Sequence, residues 1–235
     1  MKILALDTAL QGCSVVLVDT MGASPPISES VPMLRGHAEA LMPMVARVVE
    51  GARVPFSAID RFAVTVGPGT FTGVRVGIAA ARGLALATGR PLIGVTTLEV
   101  FAAELADMEE GESIAIALDA RRGEVYFQTF DAAGRPHSEA AVLAPQAAAE
   151  SLTSDAVLAG SGAPLVADAV SAAGRTVRLS SRDLGPGPDP TVIARLAAEK
   201  AVPDHPPAPL YLRPADAKPQ PGALPRQVDA EARLR

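Results

Sequence analysis

The feature that most constrains the fold of this chain is an internal repeat. Two units share one order: an apolar strand that ends in an aspartate, a turn, a second apolar strand and a second aspartate. These aspartates are Asp7 and Asp19 in the first unit and Asp119 and Asp131 in the second, so both pairs are 112 positions apart. Because each unit has two short apolar runs on either side of a turn, we interpret each as a β-hairpin. The chain is therefore predicted to consist of two related halves.

Each half continues with a helix, a further strand and a Gly-x-Gly turn. The turn is Gly67-Pro68-Gly69 in the first half and Gly160-Ser161-Gly162 in the second. Two hairpins that each carry an aspartate and precede such a turn form the duplicated layout of the actin-like fold (ASKHA, ribonuclease H-like). We expect an α/β protein with two lobes, each a mixed sheet flanked by helices. The predicted ranges are 1–105 for the N-terminal lobe, 106–214 for the C-terminal lobe and 215–235 for a disordered tail.

Apolar periodicity and capping signals predict the other elements. A first helix carries Pro43 in its first turn or at a kink. The pattern Thr96-Thr97-Leu98-Glu99 is a capping box that opens a helix, and Asp189 caps the last helix. The interval from 21 to 32 is rich in Pro and Ser and is predicted to be a connection. Two further strands are expected at 62–66 and 91–95.

The aspartates and the glycine turns admit two interpretations. In an actin-like fold the turns grip the phosphates of a nucleotide and the aspartates organise its metal ion. Alternatively, each aspartate caps its own hairpin by accepting a hydrogen bond from a nearby backbone N–H. Known phosphate fingerprints fit the first turn poorly, because no Gly-Lys-Ser/Thr pattern follows it and its proline offers no N–H. The first interpretation gives a set of possible, vestigial nucleotide-binding residues: Asp7, Thr8, Gly67, Gly69 and Asp119.

The helix after the first glycine turn carries small residues four positions apart, Gly73, Gly77 and Ala81. A glycine inside a helix costs about 1 kcal/mol relative to alanine, so we infer that another backbone packs against this face. It packs either against the chain's own sheet or first helix, or against a partner; the failed phosphate fingerprints favour the partner. The candidate interface residues lie on the first two helices: Leu41, Met44, Val45, Val48, Gly73, Val74, Gly77, Ala80, Ala81 and Leu84.

Catalytic and metal-binding patterns are sparse. The three histidines, His37, His137 and His205, are isolated in the sequence, so no catalytic or metal-binding set is predicted. The single cysteine excludes an internal disulfide and fits a reducing cytosol. The net charge of −5 argues against binding of tRNA or DNA by this chain alone, since nucleic-acid binders normally present a basic face. With no export signal or membrane span recognisable in the sequence, a cytoplasmic location is expected.

Several of these residues occur together in one known family. The stretch Gly67–Gly77 (Gly-Pro-Gly-Thr-Phe-Thr-Gly-Val-Arg-Val-Gly), joined to Leu6-Asp7-Thr8 and to Leu118–Tyr126, resembles the bacterial TsaB family, also called YeaZ. The segment Leu210-Tyr-Leu-Arg-Pro214 is similar to the C-terminal motif of that family. The resemblance spans about residues 1–214 and supports the actin-like, two-lobed fold.

The resemblance implies a role in forming N6-threonylcarbamoyladenosine at position 37 of tRNAs that read codons beginning with A. In that system TsaC makes threonylcarbamoyl-AMP, TsaD transfers the group to adenosine and TsaE is an ATPase. TsaD holds its metal through a His-x3-His motif, which this sequence lacks. The resemblance therefore implies a non-catalytic partner subunit of TsaD.

The resemblance also implies a set of partners. TsaB proteins pair through the first two helices of the N-terminal lobe, here 37–50 and 72–87, either as homodimers or directly with TsaD. TsaE and tRNA are expected to be reached only through the TsaB–TsaD complex, and no membrane is involved. No metal site and no tightly bound cofactor are expected, although ATP or ADP is a candidate ligand at the interface of the complex. Two alternatives stay open, a stand-alone actin-fold ATPase or kinase and a glycoprotease-type metallopeptidase.

Overall fold

Two five-stranded sheets form the framework of the protein in a computed structural model that describes residues 1–22, 24–106 and 113–213. The strands of the first sheet are β1 (Lys2–Asp7), β2 (Gly12–Asp19), β3 (Ile27–Pro32), β4 (Arg61–Thr65) and β5 (Leu92–Val95). The strands of the second are β6 (Ser113–Arg121), β7 (Glu124–Asp131), β8 (Ala141–Leu143), β9 (Ala156–Ala159) and β10 (Arg178–Leu179).

Both sheets have the same topology, which confirms the predicted duplication. The first sheet has the order β3-β2-β1-β4-β5. Taken from the corresponding edge, the second sheet has the order β8-β7-β6-β9-β10, so the strands of each half occupy equivalent places. In each sheet the hairpin strands are antiparallel, and the first strand of the hairpin pairs in parallel with the strand that precedes the glycine turn. These are mixed sheets, as the sequence predicts for an actin-like α/β fold.

Within the described residues, six α-helices cover the sheets. They are α1 (His37–Ala52), α2 (Phe71–Thr88), α3 (Thr97–Ala106), α4 (Pro145–Glu150), α5 (Ala163–Ala172) and α6 (Pro190–Glu199). Pro43 lies inside α1, on an exposed position. The capping box that opens α3 is confirmed, because the Thr96 N–H donates to Glu99 and the Glu99 N–H donates to the Thr96 hydroxyl oxygen, at 2.8 and 3.0 Å. The Asp189 carboxylate accepts from the Thr191 N–H at 2.7 Å and so caps α6 as predicted.

Each face of the first sheet has its own core, which explains why β1 is apolar along its whole length. Leu4 and Leu6 point towards α1 and α2, whereas Ile3 and Ala5 point towards α6. The second sheet likewise has α4 and α5 on one face and α3 on the other.

The last helix of each half therefore packs on the sheet of the other half. Helix α6 covers β1, β2, β4 and β5, and α3 covers β6 and β7. The two helices also touch each other, and the Lys200 ammonium lies 2.7 Å from the Glu99 carboxylate at their crossing. The predicted lobe boundary between 105 and 106 follows the chain and stays a prediction, while the predicted tail at 215–235 lies outside the described residues. Within the described residues, no helix is long and apolar enough to cross a membrane.

Candidate functional site

The hairpin of β1 and β2 buries Asp7 completely at the junction of the two halves. The Asp7 Oδ1 atom accepts hydrogen bonds from the Ala9 N–H, at 3.1 Å, and from the Thr65 hydroxyl. The Oδ2 atom is buried with no hydrogen-bond partner and faces Gly187, where an added Cβ would lie 3.1 Å away. Neither Thr65 nor Gly187 stands out in the sequence, since no local pattern links them to Asp7.

Burial governs the charge of Asp7. It raises the pKa of the carboxyl group to about 6, even though the hydrogen bonds from Thr65 and from the backbone of Ala9 and Thr8 act in the opposite direction. The same effect appears at the crossing of α3 and α6, where burial raises the pKa of Glu104 to about 7. Two carboxyl groups at the junction of the halves therefore titrate close to neutral pH.

Asp119, the counterpart of Asp7, has a more open environment. Its Oδ1 atom accepts from the Arg121 N–H at 2.7 Å, and its Oδ2 atom lies 3.2 Å from the Arg121 guanidinium. Its backbone N–H donates to the Ser161 hydroxyl oxygen at 3.0 Å. Both aspartates thus accept a hydrogen bond from the residue two positions ahead, as the hairpin-capping interpretation predicts.

The glycine turns close on the hairpins of their own sheets. An added Cβ at Gly69 would lie 2.3 Å from the Ala9 carbonyl oxygen, and one at Gly160 would lie 2.3 Å from the Ala117 carbonyl oxygen. The Gly162 N–H donates to the same Ala117 oxygen at 2.9 Å. These turns need glycine because a neighbouring backbone occupies the space of a side chain.

The glycines of α2 face the chain's own hairpin, which agrees with the alternative that they pack within the chain, while their role at a partner interface stays a prediction. An added Cβ would lie 2.0 Å from the Thr8 carbonyl oxygen at Gly73 and 2.6 Å from the Thr8 hydroxyl oxygen at Gly77. The Thr8 hydroxyl also donates to the Gly73 carbonyl oxygen at 2.7 Å. The glycines allow α2 to lie directly against the first hairpin.

The other predicted interface residues also point inward. Ala80 and Leu84 are partly buried against the first core. Six more are buried in that core: Leu41, Met44, Val45, Val48, Val74 and Ala81. The apolar periodicity identified the inner face of each helix, which packs on the chain's own core.

The outer surface of α1 and α2 is rich in exposed apolar side chains. Met42 on α1 is 44% exposed, and Phe71 and Leu86 on α2 are 62% and 86% exposed. The Arg75 guanidinium lies 3.5 Å from the centre of the Phe71 ring, a cation–π contact, and donates from Nε to the Tyr211 hydroxyl oxygen at 2.7 Å. We call the exposed side of these two helices the outer helix face.

A cleft of about 450 Å³ lies between the halves. Gly69 and Thr70 line it from the first half, and Asp119 and Arg121 line it from the second. The other candidate nucleotide-binding residues, Asp7, Thr8 and Gly67, do not line this cleft. Among the described residues, no group of three or more His, Cys, Asp or Glu side chains could hold a metal ion. Nucleotide binding at the cleft stays a prediction.

The duplicated sheets, with hairpin, glycine turn and exchanged helices, define an actin-like α/β protein of two lobes. The family model described as "TsaD: tRNA N6-adenosine threonylcarbamoyltransferase" matches residues 30–179, which is more than half of the chain. The chain belongs to the TsaB (YeaZ) family, on the evidence of this match together with the relatives and solved structures that follow.

Individual relatives agree with that membership. The chain is 39% identical over 150 residues to the tRNA threonylcarbamoyladenosine biosynthesis protein TsaB of Escherichia coli (strain K12). This match covers 62% of this chain and 64% of the relative. It is 35% identical over 127 residues to the TsaB protein of Haemophilus influenzae, which covers 54% of this chain and 52% of the relative. The chain thus spans about half to two thirds of the length of these curated relatives.

A solved structure matches over most of its length. YeaZ from Pseudomonas aeruginosa has a TM-score of 0.71 at 32% sequence identity, and the match covers 84% of this chain and 92% of that chain. A second solved structure, an uncharacterized protein with similarity to peptidase YEAZ from Pseudomonas aeruginosa, gives a TM-score of 0.73 at 31% identity and covers 90% of this chain and 99% of that chain. Both structures share the family fold.

Proposed function

We propose that this chain is a non-catalytic subunit in the biosynthesis of tRNA threonylcarbamoyladenosine and acts as the direct partner of a TsaD-type threonylcarbamoyltransferase. The names of the TsaB relatives supply the pathway, and the transferase family model that matches this chain supports a paralogous partner. In this proposal the partner reaches tRNA, the subunit reaches TsaE through the partner, and the isolated subunit forms homodimers in the cytoplasm.

The observation that carries the non-catalytic role is the closed state of both glycine turns. The Thr70 N–H donates to the Ala9 carbonyl oxygen at 2.7 Å, and the Gly162 N–H donates to the Ala117 carbonyl oxygen at 2.9 Å. A turn that cradles phosphate directs its N–H groups to the ligand. Here these N–H groups bind the protein's own hairpins, so the turns serve packing.

We assign the partner contact to the outer helix face. Fully buried aromatic and arginine side chains at the centre of an interface contribute most of the binding energy. Phe71 and Arg75 are an exposed aromatic–arginine pair in the free chain that a partner would bury, and Leu86 extends the apolar surface along α2. Partner and homodimer would compete for this one surface, and ATP or ADP remains a candidate ligand at the interface of the complex.

The pathway is tested by reconstituting tRNA modification from purified TsaC, TsaD and TsaE with threonine, bicarbonate, ATP and tRNA, with and without this chain. We expect modified adenosine only when the chain is present. Equal modification without it would contradict the proposal.

The surface is tested by the variant Leu86→Arg, which places a charge on the outer helix face. We expect co-purification with the transferase to fall at least tenfold while the urea midpoint of the free chain is unchanged. The control is Leu165→Arg on α5, because Leu165 is also exposed but lies on the second half. Equal capture of both variants would place the partner elsewhere.

Calorimetry with Mg-ATP tests the stand-alone ATPase alternative. Binding that depends on Asp119 in the cleft would support that alternative.

A further inference from the structure

The segment from Pro207 to Arg213 follows α6 and runs along the first half. The Pro207 carbonyl oxygen accepts from Arg82 of α2 at 2.7 Å. The Leu210 N–H donates to the Val66 carbonyl oxygen at 2.8 Å, and the Leu210 side chain packs on the first core. Backbone and side-chain contacts therefore fix this segment to the first half.

Tyr211 provides a second attachment on the same half. Its ring stacks on Phe71 with the centroids 6.1 Å apart and the planes 28° apart. Its hydroxyl oxygen accepts from Arg75 Nε, so the arginine binds the hydroxyl while its guanidinium covers the Phe71 ring. The position of Arg213, two residues further on, is thereby restricted.

Arg213 then crosses to the second half. Its guanidinium donates to the Ala120 carbonyl oxygen at 3.1 Å and to the Glu124 carboxylate. Ala120 lies where the register between β6 and β7 shifts, between Asp119 and Arg121, which turns its carbonyl group out of the regular ladder. The bulge and the acidic residue together form a fitted acceptor pair for a planar guanidinium.

These contacts join the first half to a residue of the second half that lines the cleft, because Leu210 binds Val66 and Arg213 binds Ala120. Val66 directly precedes the glycine turn on one side, and Ala120 belongs to the hairpin on the other side. The crossed helices α3 and α6 join the halves elsewhere, through their packing on the opposite sheets. The packing of these two helices and the contact through Arg213 would together set the angle between the halves from two places.

We propose that the segment Leu210–Arg213 is a clasp that holds the two halves at a fixed separation by binding the bulge of the β6–β7 hairpin through Arg213. The segment is attached to the second half through the side chain of Arg213. Loss of these hydrogen bonds therefore lets the cleft widen while both halves stay folded. The clasp goes beyond the proposed function, because it is a property of the isolated chain.

The clasp is tested by measuring the distance between spin labels on the two halves of the full chain. Labels are placed at the exposed residues Ser57, in a short turn of the first half, and Asp168, on α5, with the buried Cys13 replaced by alanine. Labelled protein is diluted into unlabelled protein so that distances between copies do not contribute. With Arg213→Met we expect the distance distribution to become about twofold wider and to shift to longer distances.

A matched control separates the clasp from the general loss of an ion pair. Arg47 on α1 makes two hydrogen bonds to Glu29 on β3, at 2.9 and 2.6 Å, within the first half. Arg47→Met should therefore leave the distribution unchanged. An unchanged distribution in Arg213→Met, or an equal change in both variants, would overturn the clasp.

A second variant covers the case in which Arg213→Met does not fold. Tyr211→Phe removes only the hydroxyl acceptor of Arg75 and keeps the stacked ring. We expect a smaller widening in the same direction and faster hydrogen exchange in the β6–β7 hairpin. No change in either readout would contradict the proposal, and neither depends on the transferase or on tRNA, so this test and that of the proposed function fail independently.

Discussion

The two hairpins share one backbone design but differ in what surrounds their aspartates. In both, the aspartate Oδ1 atom accepts from the N–H two residues ahead, at 3.1 Å for Asp7 and 2.7 Å for Asp119. Asp7 is fully buried and has no cationic partner among its hydrogen bonds, whereas Asp119 is partly exposed and pairs with Arg121. The duplication has kept the capping role of the aspartate, while its electrostatic environment has diverged.

The difference has a structural cause in the segment that precedes α6. The Gln11 N–H donates to the Pro186 carbonyl oxygen at 2.9 Å, and Gly187 lies against the Asp7 carboxylate. This segment covers the first hairpin and removes water from Asp7. In the second hairpin, by contrast, Asp119 itself lines the cleft. Asp7 and Asp119 therefore differ in charge environment, because the segment before α6 covers Asp7 and leaves Asp119 uncovered.

The largest expected effect tests the shared part of the comparison. Gly69→Ala and Gly160→Ala each push a methyl group to 2.3 Å from a hairpin carbonyl oxygen. We expect each to lower the free energy of unfolding by about 3 kcal/mol or more, measured by urea denaturation. The control Gly83→Ala, where nothing lies within 4 Å, should gain up to about 1 kcal/mol from helix propensity. Gly160 also has a φ of 102°, so its variant should lose more than Gly69→Ala, and a loss at only one glycine would show that the two turns do not both depend on close packing against a hairpin.

The next effect tests the divergent part through pH. The pKa of Asp7 is about 6 in the folded protein against 3.8 in the unfolded chain, so its stabilising contribution is present at low pH and is lost as the pH rises from about 4 to about 6. Relative to wild type, Asp7→Asn should therefore gain up to about 3 kcal/mol between pH 4 and pH 7.

Denaturation series at each pH measure this difference. Asp119→Asn is the control, because it keeps Asp7. Its free energy of unfolding should fall over the same pH range as that of the wild type. If Asp7→Asn follows the wild-type profile throughout, burial does not control the charge of Asp7.

A smaller effect compares the two exchanged helices. Thr96→Ala removes the cap of α3 and Asp189→Ala removes the cap of α6, and each should cost about 1 kcal/mol. Each helix packs on the sheet of the other half, so either variant should lower the stability of the whole protein in a single transition. Two separate transitions would show that the halves unfold independently.

The smallest effect concerns the turn of the second hairpin. Arg121 and Arg122 have φ angles of 64° and 58°, in the left-handed region, whereas the fully described turn of the first hairpin has no residue of this kind. Arg122→Gly should relieve this cost and stabilise the protein by about 0.5 kcal/mol, measured as a small rise in the urea midpoint. A loss of stability would mean that the contacts of the Arg122 side chain outweigh the strain.

The repeat in the sequence was sufficient to predict the two mixed sheets, because aspartates and apolar strands recur at one spacing. The capping box at Thr96 and the cap at Asp189 were also readable, since these signals are local. Strand β3 was not predicted: Ile27–Pro32 is a mostly exposed edge strand, so its residues are polar and resemble a connection.

Which face of a helix is covered, and by what, could not be read from the sequence. The spacing of Gly73 and Gly77 correctly indicated a backbone in close approach, but the backbone belongs to Thr8, 65 positions away from Gly73. The exchange of α3 and α6 between the sheets likewise depends on long-range packing, for which the chain carries no local signal. The sequence therefore indicated which residues pack closely around the hairpins, but not which parts of the chain they contact.

The exchanged helices bear on how the protein is made. The first sheet is complete once β5 has been synthesised, yet among the described residues the face formed by Ile3 and Ala5 is covered chiefly by α6, which begins at Pro190, with Val100 of α3 in the same cluster. A nascent chain on the ribosome must keep that apolar face exposed while most of the second half is translated. The first lobe can reach its final state only when nearly the whole chain has left the exit tunnel, so the two lobes mature together although they look like independent copies.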